Sequence, residues 1–217
     1  MSNDKVTTST FDDFVKRFPE MAHLDPMNQI DFSLSDINQN ELQALKQYFT
    51  GICTDLTLYM QLFSQEANIT ELNKFNGFVF SRLQRAYLER ICLKVATLMD
   101  PPKSMGNENL SLRRFINQTK SSLLQNQFDL LYEFYKNSGI KDWRNKVLAH
   151  ADLLTLSGEN ELNVNFTNQE VEAFVADIQG FIDWVTNPKV QTDHQVVLPR
   201  DVDGYSFMHK IKSQNES

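Results

Sequence analysis

Apolar positions recur at helical spacing through most of the chain. From Ile37 onward, Leu42, Leu45, Phe49, Ile52, Cys53, Leu56, Tyr59, Met60 and Phe63 keep to one face for many turns with no proline between them, which predicts a long amphipathic helix. A second long pattern starts at Thr70 and runs through Phe78, Leu83, Tyr87, Ile91, Leu93, Val95 and Leu98. It stops at Asp100-Pro101-Pro102, because proline disfavours helical backbone in the residue before it. KSMGNEN reads as a loop. Ser111 is placed to cap LSLRRFINQTKSSLLQ, and Phe128 to Tyr135 continue that pattern as far as Asn137-Ser138-Gly139, a stop and a new start. A helix from about Lys141 to Leu154 follows, then ELNVNF, which alternates like a short strand or extended linker. Asn168 caps a last helix with Val171, Phe174, Val175, Ile178, Phe181, Ile182 and Val185 on one face, ending before Pro188.

The flanks carry weaker patterns. Thr10 can cap a short helix bearing Phe11, Phe14, Val15 and Phe18, and Pro19 and Pro26 then interrupt it. From Lys189 the tail is polar and reads as extended, with a turn at Asp203-Gly204. The organisation expected is a peripheral segment over 1–36, a helical body over 37–187 and a tail over 188–217. Two long helices, a loop-rich middle and shorter helices predict an all-α antiparallel bundle of four to five main helices, with the apolar stripes as its core.

Composition narrows this picture. A length of 217 residues suits one domain, and 41 % hydrophobic with 23 % charged residues is a globular mixture. Only 7 Gly and 6 Pro leave too few turns for an all-β chain. The net charge of −7 argues against a protein coated in positive charge, while leaving room for a local basic patch. Cys53 and Cys92 both lie inside apolar helical patterns, which predicts buried free thiols in a reducing cytoplasm, a disulfide being the alternative. The histidines (His23, His150, His194, His209) are too scattered for a zinc site, so no metal or cofactor is expected. No apolar run approaches the roughly 18 residues of a membrane helix, and the N-terminus lacks a signal-peptide stretch, so the expected location is the cytoplasm.

One segment carries chemistry: Arg144-Asn145-Lys146-Val147-Leu148-Ala149-His150-Ala151-Asp152. By residue type alone it is a helix with one buried face, with Arg144, Lys146 and Asp152 in solvent. It resembles the signature of the HEPN superfamily, an arginine and a polar residue followed by a histidine after four to six intervening positions. Here five positions intervene between Arg144 and His150, and Asn145 is the polar residue. The words RNKVLAHAD and LMDPPKSMGNENLSLRRFI resemble the HEPN domains of AbiU-type abortive-infection proteins, over roughly Ile37 to Trp184.

That resemblance implies a metal-independent endoribonuclease of phage defence or a toxin–antitoxin pair, or an inactive relative kept for RNA or nucleotide binding. It implies a homodimer whose two signature helices share one cleft, with RNA as partner and an antitoxin or other regulatory protein as a further one. Arg144, Asn145 and His150 fall on the catalytic signature, while Lys146 and Asp152 belong to the branch pattern. Some HEPN toxins carry a tyrosine two residues after the histidine, where a nucleotidyltransferase modifies them; Asp152 stands there instead, so that route of neutralisation is not expected.

The chemistry is coherent. Histidine can move protons near neutrality without a metal. A guanidinium matches phosphate oxygens and the charge that builds on them, and asparagine can orient either group. On an α-helix six residues advance about 9 Å and leave Arg144 and His150 roughly 120° apart, so a second subunit would supply the missing side. Lys146, Arg113 and Arg114 are further candidates for contacting RNA phosphates. Arg82, Arg85, Arg90 and Lys94 read first as a solvated face with pairs such as Arg85–Glu89, and second as a basic strip towards RNA. Trp143 and Trp184 are expected in packing before base stacking.

Overall fold

The computed structural model describes residues 31–148, 166–186 and 203–215. The short helix expected around Phe11 to Phe18 and the ELNVNF stretch lie outside those residues. Asp31 is already tied to the body: its carboxylate accepts from the Ser121 hydroxyl, from the Ser122 backbone N–H at 2.7 Å and from the Ser122 hydroxyl at 2.8 Å. Burial would raise its pKa, but these hydrogen bonds outweigh burial and hold the carboxyl below its ordinary value. Docked structure therefore begins ahead of Ile37.

A 3-10 turn, Leu34–Asp36, leads into α1, Gln39–Phe63. Asn38 caps α1, its Oδ1 accepting from the N–H groups of Asn40 and Glu41 at 3.0 and 3.3 Å. The next helix, α2, spans Glu66–Met99 and breaks at Asn76, where φ is −164° and ψ is 87°. Asn76 Oδ1 then accepts from the Val79 N–H at 3.1 Å, so this residue restarts the helix as an internal cap. Beyond the break α2 runs antiparallel to α1, and Leu45, Ile52, Ile91, Val95 and Leu98 close the seam between them.

Three stretches differ from their sequence reading. KSMGNEN is a β-hairpin, β1 (Lys103–Ser104) with β2 (Asn107–Glu108), not a loop. Met105 and Gly106 both take positive φ, 50° and 86°, as a tight hairpin turn demands. Asn109 closes its base, bonding the carbonyls of Pro101 and Pro102 at 2.8 Å each. The pattern after Ser111 is two helices, α3 (Leu112–Thr119) and α4 (Ser122–Asn137), parted where Lys120 turns left-handed at φ 53°. Ser121 accepts from the Leu124 N–H at 3.1 Å and starts α4, so the apolar stripe spans a break that its spacing hides.

The third difference is the C-terminal tail. Residues 204–215 form a helix, not an extended strand of chain. For order, α5 is Ile140–Trp143, followed by a π-helical turn Arg144–Leu148; α6 is Asn168–Thr186 and α7 is Gly204–Asn215. Asp203 accepts from the Ser206 N–H at 2.8 Å and launches α7, which buries Met208 and Ile211 against α1 and α2. Gly204 is required there, because a Cβ at this position would lie 2.7 Å from the Gln61 Cβ. The apolar positions of α7 are few and spaced among lysines and serine, which is why the tail reads as polar.

The last long helix follows its pattern, except that Thr167 caps it. Thr167 Oγ1 accepts from the Glu170 N–H at 3.2 Å, and Glu170 Oε2 accepts from the Thr167 N–H at 2.6 Å, a reciprocal capping box. Phe115, Phe128, Phe174 and Phe181 are fully buried at the centre of the bundle, and the Phe134 and Phe174 rings meet at 4.7 Å. The all-α bundle expected from the stripes is the architecture found, but Phe78, Leu83 and Leu93, expected in its core, are exposed on the surface of α2.

Candidate functional site

The site begins with a change of helical register. Gly139 takes φ 79°, ends α4 and turns the chain into α5. After a single α-helical turn the backbone widens into the π turn, where bonds run from i to i+5. The expected α-helix from Lys141 therefore stops being α-helical at Arg144. The 120° offset between Arg144 and His150 assumed 3.6 residues per turn and does not apply across this segment, so it no longer argues for a second subunit. His150 and Asp152 lie outside the described residues.

Arg144 stands at the junction. Its Nη2 donates to Asp100 Oδ2 at 2.9 Å and its Nη1 to Asn145 Oδ1 at 2.8 Å. The side chains of Arg144 and Asp100 remain 31 % and 26 % exposed, so the guanidinium is fixed yet reachable. Asp100 is the residue that ends α2 ahead of Pro101-Pro102, and the proline stop is what holds its carboxylate at the helix end. Burial pushes the Asp100 pKa up, and the Arg144 charge works against that rise. Tyr48 is also pushed up, by burial first, with a Thr97 hydrogen bond opposing and the Asp100 charge adding. Tyr135 is pushed to about 12, chiefly by burial. Neither phenol is poised to exchange protons near neutrality.

Arg144 lines an open cleft of about 440 Å³ between α1 and α2, together with Tyr48, Arg90, Leu93, Lys94 and Thr97. Under it lies a buried carboxylate. Asp55 Oδ2 accepts from Lys94 Nζ at 2.6 Å and forms an ion pair with Arg90 Nε at 2.8 Å, and Lys94 Nζ also donates to the Gly51 carbonyl at 3.1 Å. Arg85 pairs with Glu89 at 2.6 Å as the sequence suggests, while Arg82 lies over the Phe78 ring at 6.0 Å.

The other candidates are engaged elsewhere. Arg113 stacks over Phe128 and Tyr132, at 4.8 and 5.0 Å from the ring centroids. Arg114 forks onto Glu41 (Nε to Oε2 at 2.7 Å, Nη2 to Oε1 at 2.6 Å) and reaches Glu108 through Nη1 at 2.5 Å. Neither lines the Arg144 cleft, and nor does Lys146, which is half-buried in the π turn. Trp184 is buried in α6, and Trp143 packs 6.3 Å from the Phe166 ring. Asp100, Asp55 and Tyr48 belong to the site but carry no sequence signal beyond the proline stop after Asp100, because their partners are distant in the chain.

The Arg114 fork has a pH consequence. Its hydrogen bonds hold the Glu41 carboxyl below the ordinary glutamate value of 4.5, against a smaller rise from burial. Stability from this pair is thus complete above about pH 4.5 and is lost as pH falls through the depressed folded value. Melting temperature measured against pH should fall more gently on the acid side in Glu41→Gln than in wild type, from a lower plateau.

Cys53 and Cys92 are free, and burial pushes both thiols up to about 12. Among the described residues no group of three or more His, Cys, Asp or Glu side chains can hold a metal ion, and no helix is long and apolar enough to cross a membrane. The family model of the AbiU2 HEPN domain matches residues 39–188, more than half of the chain. No curated protein and no solved structure matches.

Proposed function

Since the chain belongs to the AbiU2 family of HEPN domains, we propose that it is a metal-independent endoribonuclease of abortive infection or a toxin–antitoxin pair. Arg144, Asn145 and His150 are the groups assigned to the reaction. The observation that carries this reading is the Arg144 guanidinium, anchored by Asp100, flanked by Asn145 and lining a cleft of a size that suits small ligands. In the reaction a ribose 2′-hydroxyl attacks the adjacent phosphorus as the bond to the 5′-oxygen breaks. One proton leaves the 2′-oxygen and one reaches the departing 5′-oxygen. His150 handles that traffic, Arg144 meets the negative charge on the phosphoryl oxygens, and Asn145 orients the guanidinium it already touches. Lys146 is assigned to phosphate binding, whereas Arg113 and Arg114 are assigned to holding the fold. A second copy of the chain completes the cleft in this reading, and a regulatory protein restrains it.

A second reading, an RNA- or nucleotide-binding module without turnover, is favoured by one observation: Arg144 is already paired with a carboxylate, so part of its charge is compensated. One experiment separates them. Purified protein is incubated with RNA in EDTA, and the product ends are analysed. Cleavage that persists in EDTA, leaves 2′,3′-cyclic phosphates and spares 2′-O-methyl RNA is expected. Cleavage lost in EDTA and restored by magnesium or manganese would contradict this mechanism, and binding without cleavage would favour the second reading.

A further inference from the structure

The α1–α2 cleft holds more positive charge than its own carboxylates compensate. Asp55 supplies one negative charge to two cations, Arg90 and Lys94, through a single oxygen. Lys94 is largely enclosed beside it, but the Arg90 side chain is 63 % exposed with its Nε held on Asp55. Its guanidinium is thus fixed at one edge and turned outward, an arrangement that lowers the entropy cost of gripping an anion. Glu89, the acid that lines the cleft itself, is compensated by Arg85. One turn along α2 from Arg90, towards the Asp100 that holds Arg144, Leu93 lines the cleft at 38 % exposure, and Tyr48 adds an aromatic ring to the same lining. Cations at two places with an apolar surface in the same lining suit one unit of a single nucleic-acid strand, phosphate, base, phosphate.

We propose that this cleft is a nucleotide subsite for single-stranded RNA, in which Arg90 grips the phosphate next to the one met by Arg144 and Leu93 with Tyr48 takes the intervening base. The proposal rests on the ribonuclease reading for its choice of RNA, but its test does not depend on turnover. A fluorescein-labelled 2′-O-methyl oligonucleotide, which lacks the attacking hydroxyl, is titrated against wild type, Arg90→Ala, Leu93→Glu and Arg82→Ala by anisotropy over a range of salt. Arg82→Ala removes the same charge from the same helix but outside the cleft, and leaves the Arg85–Glu89 pair in place.

Arg90→Ala is expected to weaken binding about tenfold, the loss of one charge-assisted contact. Its salt slope should shrink by about 0.7. Leu93→Glu should weaken binding at least as much at an exposed position where folding is little affected, and Arg82→Ala should stay within about twofold of wild type. Thermal melts establish that each variant is folded. If Arg90→Ala and Leu93→Glu both match Arg82→Ala while the wild type still cuts ordinary RNA, the subsite is wrong and the ribonuclease reading stands. If binding depends on Arg90 and Leu93 but the wild type cuts nothing, the ribonuclease reading fails and the subsite stands. A wild type that neither binds nor cuts overturns both.

Discussion

Replacing His150 by alanine is expected to lower RNA cleavage by about 10²–10⁴-fold, the usual worth of general acid–base assistance, with the bundle intact. Arg144→Ala is expected to be as damaging, costing roughly 2.7–4 kcal/mol of transition-state stabilisation by analogy with a lost oxyanion donor. The two variants should part in binding. Arg144→Ala removes a cation from the cleft and should weaken affinity and flatten its salt dependence, whereas His150→Ala should keep most of its affinity. Asn145→Ala should do less harm than either, because Asn145 touches the guanidinium and exchanges no proton. Single-turnover cleavage at saturating protein, with circular dichroism as a folding control, reads all three. Equal cleavage by wild type and His150→Ala would remove the histidine from the mechanism.

The largest stability loss among polar positions is expected at Asp55. Its side chain is 8 % exposed and anchors both Lys94 and Arg90. Asp55→Ala leaves Lys94 enclosed with the Gly51 carbonyl as its remaining partner among the described residues, and removing one member of a buried ion pair typically costs about 3–5 kcal/mol. Asp55→Asn keeps an acceptor and should lose less. Urea unfolding gives the comparison directly, and a loss below about 1 kcal/mol in Asp55→Ala would show that water enters the cleft freely enough to solvate the lysine.

The stripes of α1, the second half of α2 and α6 made the bundle legible, because burial of one helix face imposes the spacing seen from Leu42 to Phe63 and from Val171 to Val185. Breaks were harder to read. Asn76, Lys120 and Gly139 each interrupt a helix, but only the glycine advertises it, since an asparagine cap inside a stripe and a left-handed lysine leave the apolar spacing unchanged. The signature residues Arg144 and Asn145 were visible as words. What surrounds them was not: the link from Arg144 to Asp100 joins residues 44 apart, and that from Lys94 to Asp55 joins residues 39 apart. Such pairs are decided by how helices are laid together, which periodicity does not specify. The same holds for Arg113 and Arg114, adjacent cations that pack onto aromatic rings and carboxylates respectively.

The family match ends at residue 188, but the folding unit does not. Helix α7 seals the start of α2: the Phe207 and Phe80 rings lie 6.0 Å apart, and Asn215 holds Glu71 through its backbone carbonyl at 3.1 Å and its carboxylate at 2.8 Å. A chain shortened to the family boundary would bare the apolar strip under Met208 and Ile211 on the outside of the α1–α2 hairpin. Such a strip attracts other copies in solution. Self-association of a trimmed protein would then reflect the missing lid, and would say nothing of how the whole chain assembles.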